Sequence, residues 1–203
     1  MALVASVVLE AAEPAAVDVF ADAAFGLKCR ICARGADEPS AGFRGFSLSL
    51  VVSQPSTVNN LVAAALDHGA TTLKPVKKGF WGYGGVVQAP DGTIWKIATS
   101  SKKETGPSTR QVDDVVLLLG VTDVKASKMF YIEHGLTVAK SFAGKYVEFE
   151  SAPSGVTLAL LQRDALAKDV GVLPDGTGSR GIVICSDAGT FTDPDGFSWE
   201  TAA

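Results

Sequence analysis

Few side chains in this 203-residue chain have the type and placement to do chemistry: two histidines, three cysteines and one glycine-rich stretch that carries aromatics. His68 and His134 each stand directly before a glycine at the end of a segment with helical apolar spacing. An imidazole there suits the carbonyl end of a helix, so both are assigned to helix ends and not to a metal. Cys29-Arg30-Ile31-Cys32 has the Cys-x-x-Cys spacing, but redox-active pairs use a helix N-terminus to lower the thiol pKa. This pair falls in a strand pattern, where a spacing of three sends the side chains to opposite faces, so structural cysteines are expected. The stretch Lys77-Lys78-Gly79-Phe80-Trp81-Gly82-Tyr83-Gly84-Gly85 has the glycines of a phosphate cradle but not the Gly-Lys-Ser/Thr ending that supplies a lysine and a magnesium ligand. Phe80, Trp81 and Tyr83 could instead stack on a planar ligand at the mouth of an apolar site. The competing role is packing onto a sheet edge.

Composition narrows the partners. Hydrophobic residues at 47% and charged residues at 20% are ordinary for a soluble globular chain. Eighteen basic against 22 acidic residues leave a formal charge of −4 with no dense basic run, so nucleic acid is not an expected partner. No apolar stretch approaches the roughly 20 residues that span a bilayer, and no membrane partner is expected. The segment 1–12 lacks a leading basic residue and is interrupted by Glu10, so it fits poorly as a signal peptide. An odd number of irregularly spaced cysteines agrees with a reducing compartment, and a cytoplasmic location is the expectation.

The elements that must position these residues come from a repeat. Gly85-Val86-Val87-Gln88-Ala89-Pro90-Asp91-Gly92-Thr93-Ile94-Trp95-Lys96-Ile97-Ala98 aligns without a gap with Gly189-Thr190-Phe191-Thr192-Asp193-Pro194-Asp195-Gly196-Phe197-Ser198-Trp199-Glu200-Thr201-Ala202. Pro fixes the first corner of a turn and Gly accepts the positive φ that follows, so each copy is strand, tight turn, strand. Ser6-Val7-Val8-Leu9 answers Asp114-Val115-Val116-Leu117, and Phe43 to Leu48 answers Ser179 to Ile184, in the same order. The chain therefore divides into module one (1–98), a polar linker (99–110) and module two (111–203).

Within module one, strands are expected at Val4 to Leu9, Cys29 to Ala33, Phe43 to Val52 and Thr71 to Val76, with helices after Glu13-Pro14 and from an N-cap at Ser56 to His68. Module two repeats a strand at Val112 to Leu119 and a helix from Val124 to His134; strands follow to Leu161, then a polar excursion from Gln162 to Gly178 and a strand at Gly181 to Cys185. About thirty residues stand before Gly85 in module one where module two has only Ser186-Asp187-Ala188. Either module two has lost a helix and a strand, or a segment is absent after Asp187. The second is expected, because deleting a helix would uncover one face of a sheet.

Taken together, the βαβββ-type halves, the Asp193-Pro194-Asp195-Gly196 turn with Trp199-Glu200 after it, the Asp114-Val115-Val116-Leu117 strand and the Phe130-Tyr131 to Gly135-Leu136 helix end resemble the vicinal oxygen chelate superfamily of glyoxalase I, extradiol dioxygenases and bleomycin-resistance proteins. The resemblance implies an α+β fold of two tandem modules whose sheets curve around a cup. It also implies metal ligands, usually His and Glu, on the first and last strands of a module. The corresponding residues here are Ser6 and Lys96 in module one and Asp114 and Glu200 in module two. Only Glu200 matches the pattern. Lys96 would bring a positive charge where a cation should sit.

The expected function is therefore metal-independent binding of a small hydrophobic or aromatic molecule, with no cofactor and with Phe80, Trp81, Tyr83, Lys96 and Ser6 as ligand-binding residues. The alternative is an enzyme, a lyase or dioxygenase, in which Asp114 and Glu200 hold Zn, Ni, Mn or Fe or act as catalytic base. A third reading is a closed cup that serves only in assembly. A salt bridge between Lys96 and Glu200 is the structural alternative to a role in chemistry. Trp95 and Trp199, one residue earlier, alternate onto the core side. Open sheet edges would also allow a homodimer.

Overall fold

A computed structural model describes every residue except Cys29, Asp37, Trp81 and Ala203. The first half runs β1 (Val4–Ala11), α1 (Pro14–Phe25), β2 (Ile31–Gly35), β3 (Ser40–Gly42), β4 (Phe46–Val51), α2 (Pro55–Asp67), β5 (Thr71–Gly79), β6 (Gly82–Gln88) and β7 (Ile94–Thr99). The second runs β8 (Asp114–Val121), α3 (Val124–Glu133), β9 (Val138–Phe142), β10 (Tyr146–Phe149), β11 (Thr157–Gln162), α4 (Arg163–Val170), β12 (Gly176–Gly178), β13 (Ile182–Ser186), β14 (Phe191–Thr192) and β15 (Ser198–Thr201).

The fold is α+β, and both halves of the chain enter both main sheets. The eight-stranded sheet has the order β5-β6-β7-β4-β8-β11-β10-β9. It joins two complete βαβββ units, β4-α2-β5-β6-β7 and β8-α3-β9-β10-β11, through their antiparallel first strands β4 and β8. The five-stranded sheet, β14-β15-β13-β1-β2, repeats the scheme: β1 and β13 are its antiparallel centre, and β2 and β15 flank them in parallel. Among the described residues both of its units have fewer strands than the complete ones: α1 leads directly to β2, and β13 leads to β14 through a short turn. Leu3 N–H donates to Asp187 Oδ1 at 2.6 Å and Ala188 N–H to Ser186 Oγ at 3.0 Å, which fastens that turn. The adjoining sheet face is covered by α3, whose Phe130 and Tyr131 meet Phe191 and Trp199 at 5.7 and 5.2 Å.

One large core cluster joins the inner faces of both sheets with α1, α2 and α3. Trp95 and Trp199 lie in it, 0% and 1% exposed, on the core side that alternation assigns them. The two repeated turns carry the same hydrogen bonds. Gly92 N–H donates to Ala89 C=O and Gly196 N–H to Asp193 C=O, with φ of 85° and 84° at the two glycines. Both histidines cap helix ends as expected, their Nδ1 atoms 2.7 and 2.8 Å from the carbonyls of Ala64 and Phe130.

Several local expectations change. The N-cap of α2 is Gln54, not Ser56, with Pro55 in the first helical turn. Gln54 Oε1 accepts from the N–H groups of Thr105 and Gly106, and Ser56 bonds to Glu104, so the polar connection is strapped to α2. Lys77, Lys78 and Gly79 extend β5, and β2 begins at Ile31. Cys29 lies outside the described residues, and Cys32 is exposed on β2. The largest change is in the polar excursion after Gln162, which holds α4.

Candidate ligand site on the outer face of the eight-stranded sheet

Residues paired across neighbouring strands point to the same side of a sheet. Away from the shared core, one row of the larger sheet reads Val86, Lys96, Ser49, Val116, Thr157, and the next reads Gly84, Ala98, Val51, Asp114. α4 lies across the middle of this face. Its Leu166, Ala167 and Val170 are fully buried against Phe43, Val86, Ile94, Val116, Leu118 and Ala159. Gly120 lets it approach: a Cβ there would stand 3.0 Å from Gly45 O and 3.1 Å from Arg163 Cα. Arg163 donates from Nη2 to Phe43 C=O at 2.6 Å and from Nε to Pro174 C=O at 3.0 Å.

The C-terminal end of α4 is held by two lysines. Lys74 Nζ donates to the carbonyls of Lys168 and Asp169, both at 2.6 Å, where a positive charge complements the helix dipole. Lys96 Nζ meets Asp169 Oδ2 at 2.6 Å. Beyond this end the sheet face is open, and a cavity of about 370 Å³ remains between it and α4. Val51, Pro75, Val86 and Ala98 give it apolar walls, with the bare backbone of Gly82, Gly84 and Gly85 between them. Phe80 stands at its mouth, 84% exposed. Tyr83 borders it on β6, but its ring turns to the opposite face of the sheet, against the main core, where its hydroxyl donates to Asn59 Oδ1 of α2 at 2.9 Å. Lys74, Lys77 and Lys96 outnumber the single carboxylate of Asp169 in the lining, so the cavity is apolar and positively charged.

Phe80 and Lys96 thus share one cavity, whereas the Tyr83 ring lies on the other face of the sheet. Trp81 lies outside the described residues. Asp114 stands on the same sheet face, one strand beyond Val51. It is half-buried, and burial raises its carboxyl above the usual range, although Thr157 Oγ1 donates to it at 3.1 Å.

Ser6 and Glu200 are elsewhere, on the outward face of the five-stranded sheet, in a row that reads Ser6, Cys185, Glu200. Arg34 reaches from β2 across β1 and β13, giving Nη1 to Glu200 Oε1 at 2.8 Å and Nη2 to Glu10 Oε1 at 2.9 Å. Asp114 and Glu200 therefore do not meet, because first and last strands of one half belong to different sheets. The postulated salt bridge between Lys96 and Glu200 does not form for the same reason; their partners are Asp169 and Arg34. The donor sets do not fit a divalent metal. On one sheet Asp114 shares its face with the Lys96 ammonium, and on the other Glu200 is bound by a guanidinium. Among the described residues no three His, Cys, Asp or Glu side chains gather to hold an ion. α4 and Asp169 were missed in the sequence, although Leu166, Ala167 and Val170 at helical spacing before Gly171 are a weak helix signal. Glu10 and Arg34, four strand positions from the carried-over Ser6 or on its neighbour, had no signal.

No protein-family model matches the sequence, and no curated protein matches it. Solved structures do. Glyoxalase I from Zea mays is similar over 98% of this chain and 91% of that one, at 12% identity and a TM-score of 0.60. A putative dioxygenase from Bacillus subtilis is similar over 95% of this chain and 71% of that one, at 12% identity and a TM-score of 0.53. At such identities the likeness concerns the fold and says nothing of activity. The paired βαβββ units and these likenesses give the chain the fold seen in glyoxalase I.

Proposed function

We propose that the chain binds a small aromatic molecule, without a metal ion, in the cavity between the β5–β7 part of the eight-stranded sheet and the end of α4. The observation that carries this reading is the convergence of Phe80, Lys77 and Lys96 on one apolar cavity of about 370 Å³, within the usual size range for small-ligand sites. A flat ring system would lie on the glycine backbone between Phe80 and Val51. Lys77, with no carboxylate partner among the described residues, favours a ligand that carries a carboxylate or another anionic group, while Lys96 is already paired with Asp169. α4 shuts the middle of the face, so a large ligand is disfavoured.

The test is a thermal-shift screen of aromatic carboxylates against the wild type and Ala98→Leu. Ala98 points into the cavity from β7 and is only partly buried, so the larger side chain fills the site and not the core. Binders found with the wild type should lose their shift in Ala98→Leu. Equal shifts in both proteins would remove the reading.

A further inference from the structure

A second cavity, of about 800 Å³, lies away from this site. It opens where α1 meets the end of β1, segment 38–40, His68 and the Pro90-Asp91 turn. The chain runs from α1 straight into β2, and the crevice lies beside α1 between the ends of β1 and β3. Val17 and Phe20 form a floor continuous with the core, while Val19, an apolar residue on the same flank, is 64% exposed.

The charges around this crevice do not balance. Its arginine, Arg44, is already engaged: it donates to Thr93 Oγ1 at 2.6 Å, stands 3.6 Å from Asp91 and lies over the Phe46 ring. Glu10 is held by Arg34. His68 is tied through Nδ1 to Ala64 C=O. Glu13 and Glu38 also line the crevice, and neither carboxylate has a partner among the described residues. Glu13 is the N-cap residue of α1, but its side chain makes no capping hydrogen bond. An apolar floor of this size with uncompensated carboxylates at its rim suits one ligand chemistry: rings against the floor and a cationic nitrogen toward the rim.

We propose that this crevice is a second small-molecule site, selective for hydrophobic organic cations, with Val17, Phe20 and Pro90 contacting the rings and Glu13 and Glu38 the positive charge. The lysine-lined cavity on the outer sheet face would repel such a compound, so the two sites sort ligands by charge. The probe is rhodamine 6G, a polycyclic cation, titrated by fluorescence polarisation, with fluorescein as the anionic counterpart. Saturable one-to-one binding of rhodamine 6G is expected. It should weaken about tenfold in the double variant Glu13→Gln, Glu38→Gln, as loss of two rim charges implies, and vanish in Ala16→Phe, which fills the crevice from an exposed helix position. Ala98→Leu should leave it unchanged. Non-saturable binding, unchanged affinity in the double variant, or loss in Ala98→Leu would each overturn the proposal. The last would place the probe in the other cavity.

Discussion

Asp193 gives the sharpest prediction about stability, because the repeat supplies its own control. The carboxylate is 5% exposed and accepts hydrogen bonds from the Tyr131 hydroxyl, from the N–H groups of Asp195 and Phe197, both at 2.9 Å, and from Trp199 Nε1 at 3.5 Å. It fastens the turn of β14 and β15 to α3. Asp193→Ala leaves the buried Tyr131 hydroxyl and two backbone donors without that acceptor. A stranded buried donor costs about 1–3 kcal/mol, and partial rehydration brings the sum to about 3–5 kcal/mol. For a chain of this length each kcal/mol lowers the melting temperature by about 2–4 °C, so a fall on the order of 10 °C is expected. Tyr131→Phe removes one donor and leaves the carboxylate its other partners, so about 1 kcal/mol is lost. In the first copy Ala89 occupies the equivalent position, and its turn closes through Ala89 N–H to Thr93 C=O at 2.9 Å. Turn closure therefore does not need the carboxylate. The assay is differential scanning calorimetry of the wild type and both variants. A melting temperature for Asp193→Ala within 2 °C of wild type would refute the reasoning, since it would mean that the four contacts are dispensable.

Other outcomes follow from the same structure. Leu166→Ala empties a fully buried position beneath α4 and should cost about 2–5 kcal/mol in urea denaturation. Arg34→Ala breaks a partly exposed pair of ion contacts and should cost about 1 kcal/mol or less. Burial raises the Asp114 carboxyl in the folded chain, so its contribution to stability is fully present below the ordinary carboxylate range and is lost as pH rises through the raised value. Urea melts between acid and neutral pH should show that decline, and Asp114→Asn should flatten it.

The fold was legible where local chemistry repeats. The Pro-Asp-Gly turns, the tryptophans one residue before Lys96 and Glu200, and the histidines at the ends of α2 and α3 all follow from short-range rules and stand as read. What was not legible depends on which strands meet. Lys96 and Asp114 end on one sheet and Ser6 and Glu200 on the other, because β4 pairs with β8 and β1 with β13. A linear alignment of the two halves carries no sign of that exchange. α4 was obscured by Arg163, Asp164, Lys168 and Asp169 around only three buried apolar residues. Those charged residues place the helix end against Lys74 and Lys96 and so shape the cavity. Phe80 was singled out from its glycine neighbours, but its common cavity with Lys96 required β5, β6 and β7 to be adjacent, and the Tyr83 ring turns instead toward α2.

The most direct test of the central claim is a titration of 8-anilinonaphthalene-1-sulfonate, an aromatic anion, onto wild type and Ala98→Leu with a metal chelator present throughout. Saturable binding by the wild type in chelator, lost in Ala98→Leu, is the predicted result. Binding abolished by the chelator, or indifferent to Ala98→Leu, would contradict a metal-independent site in the cavity beside α4.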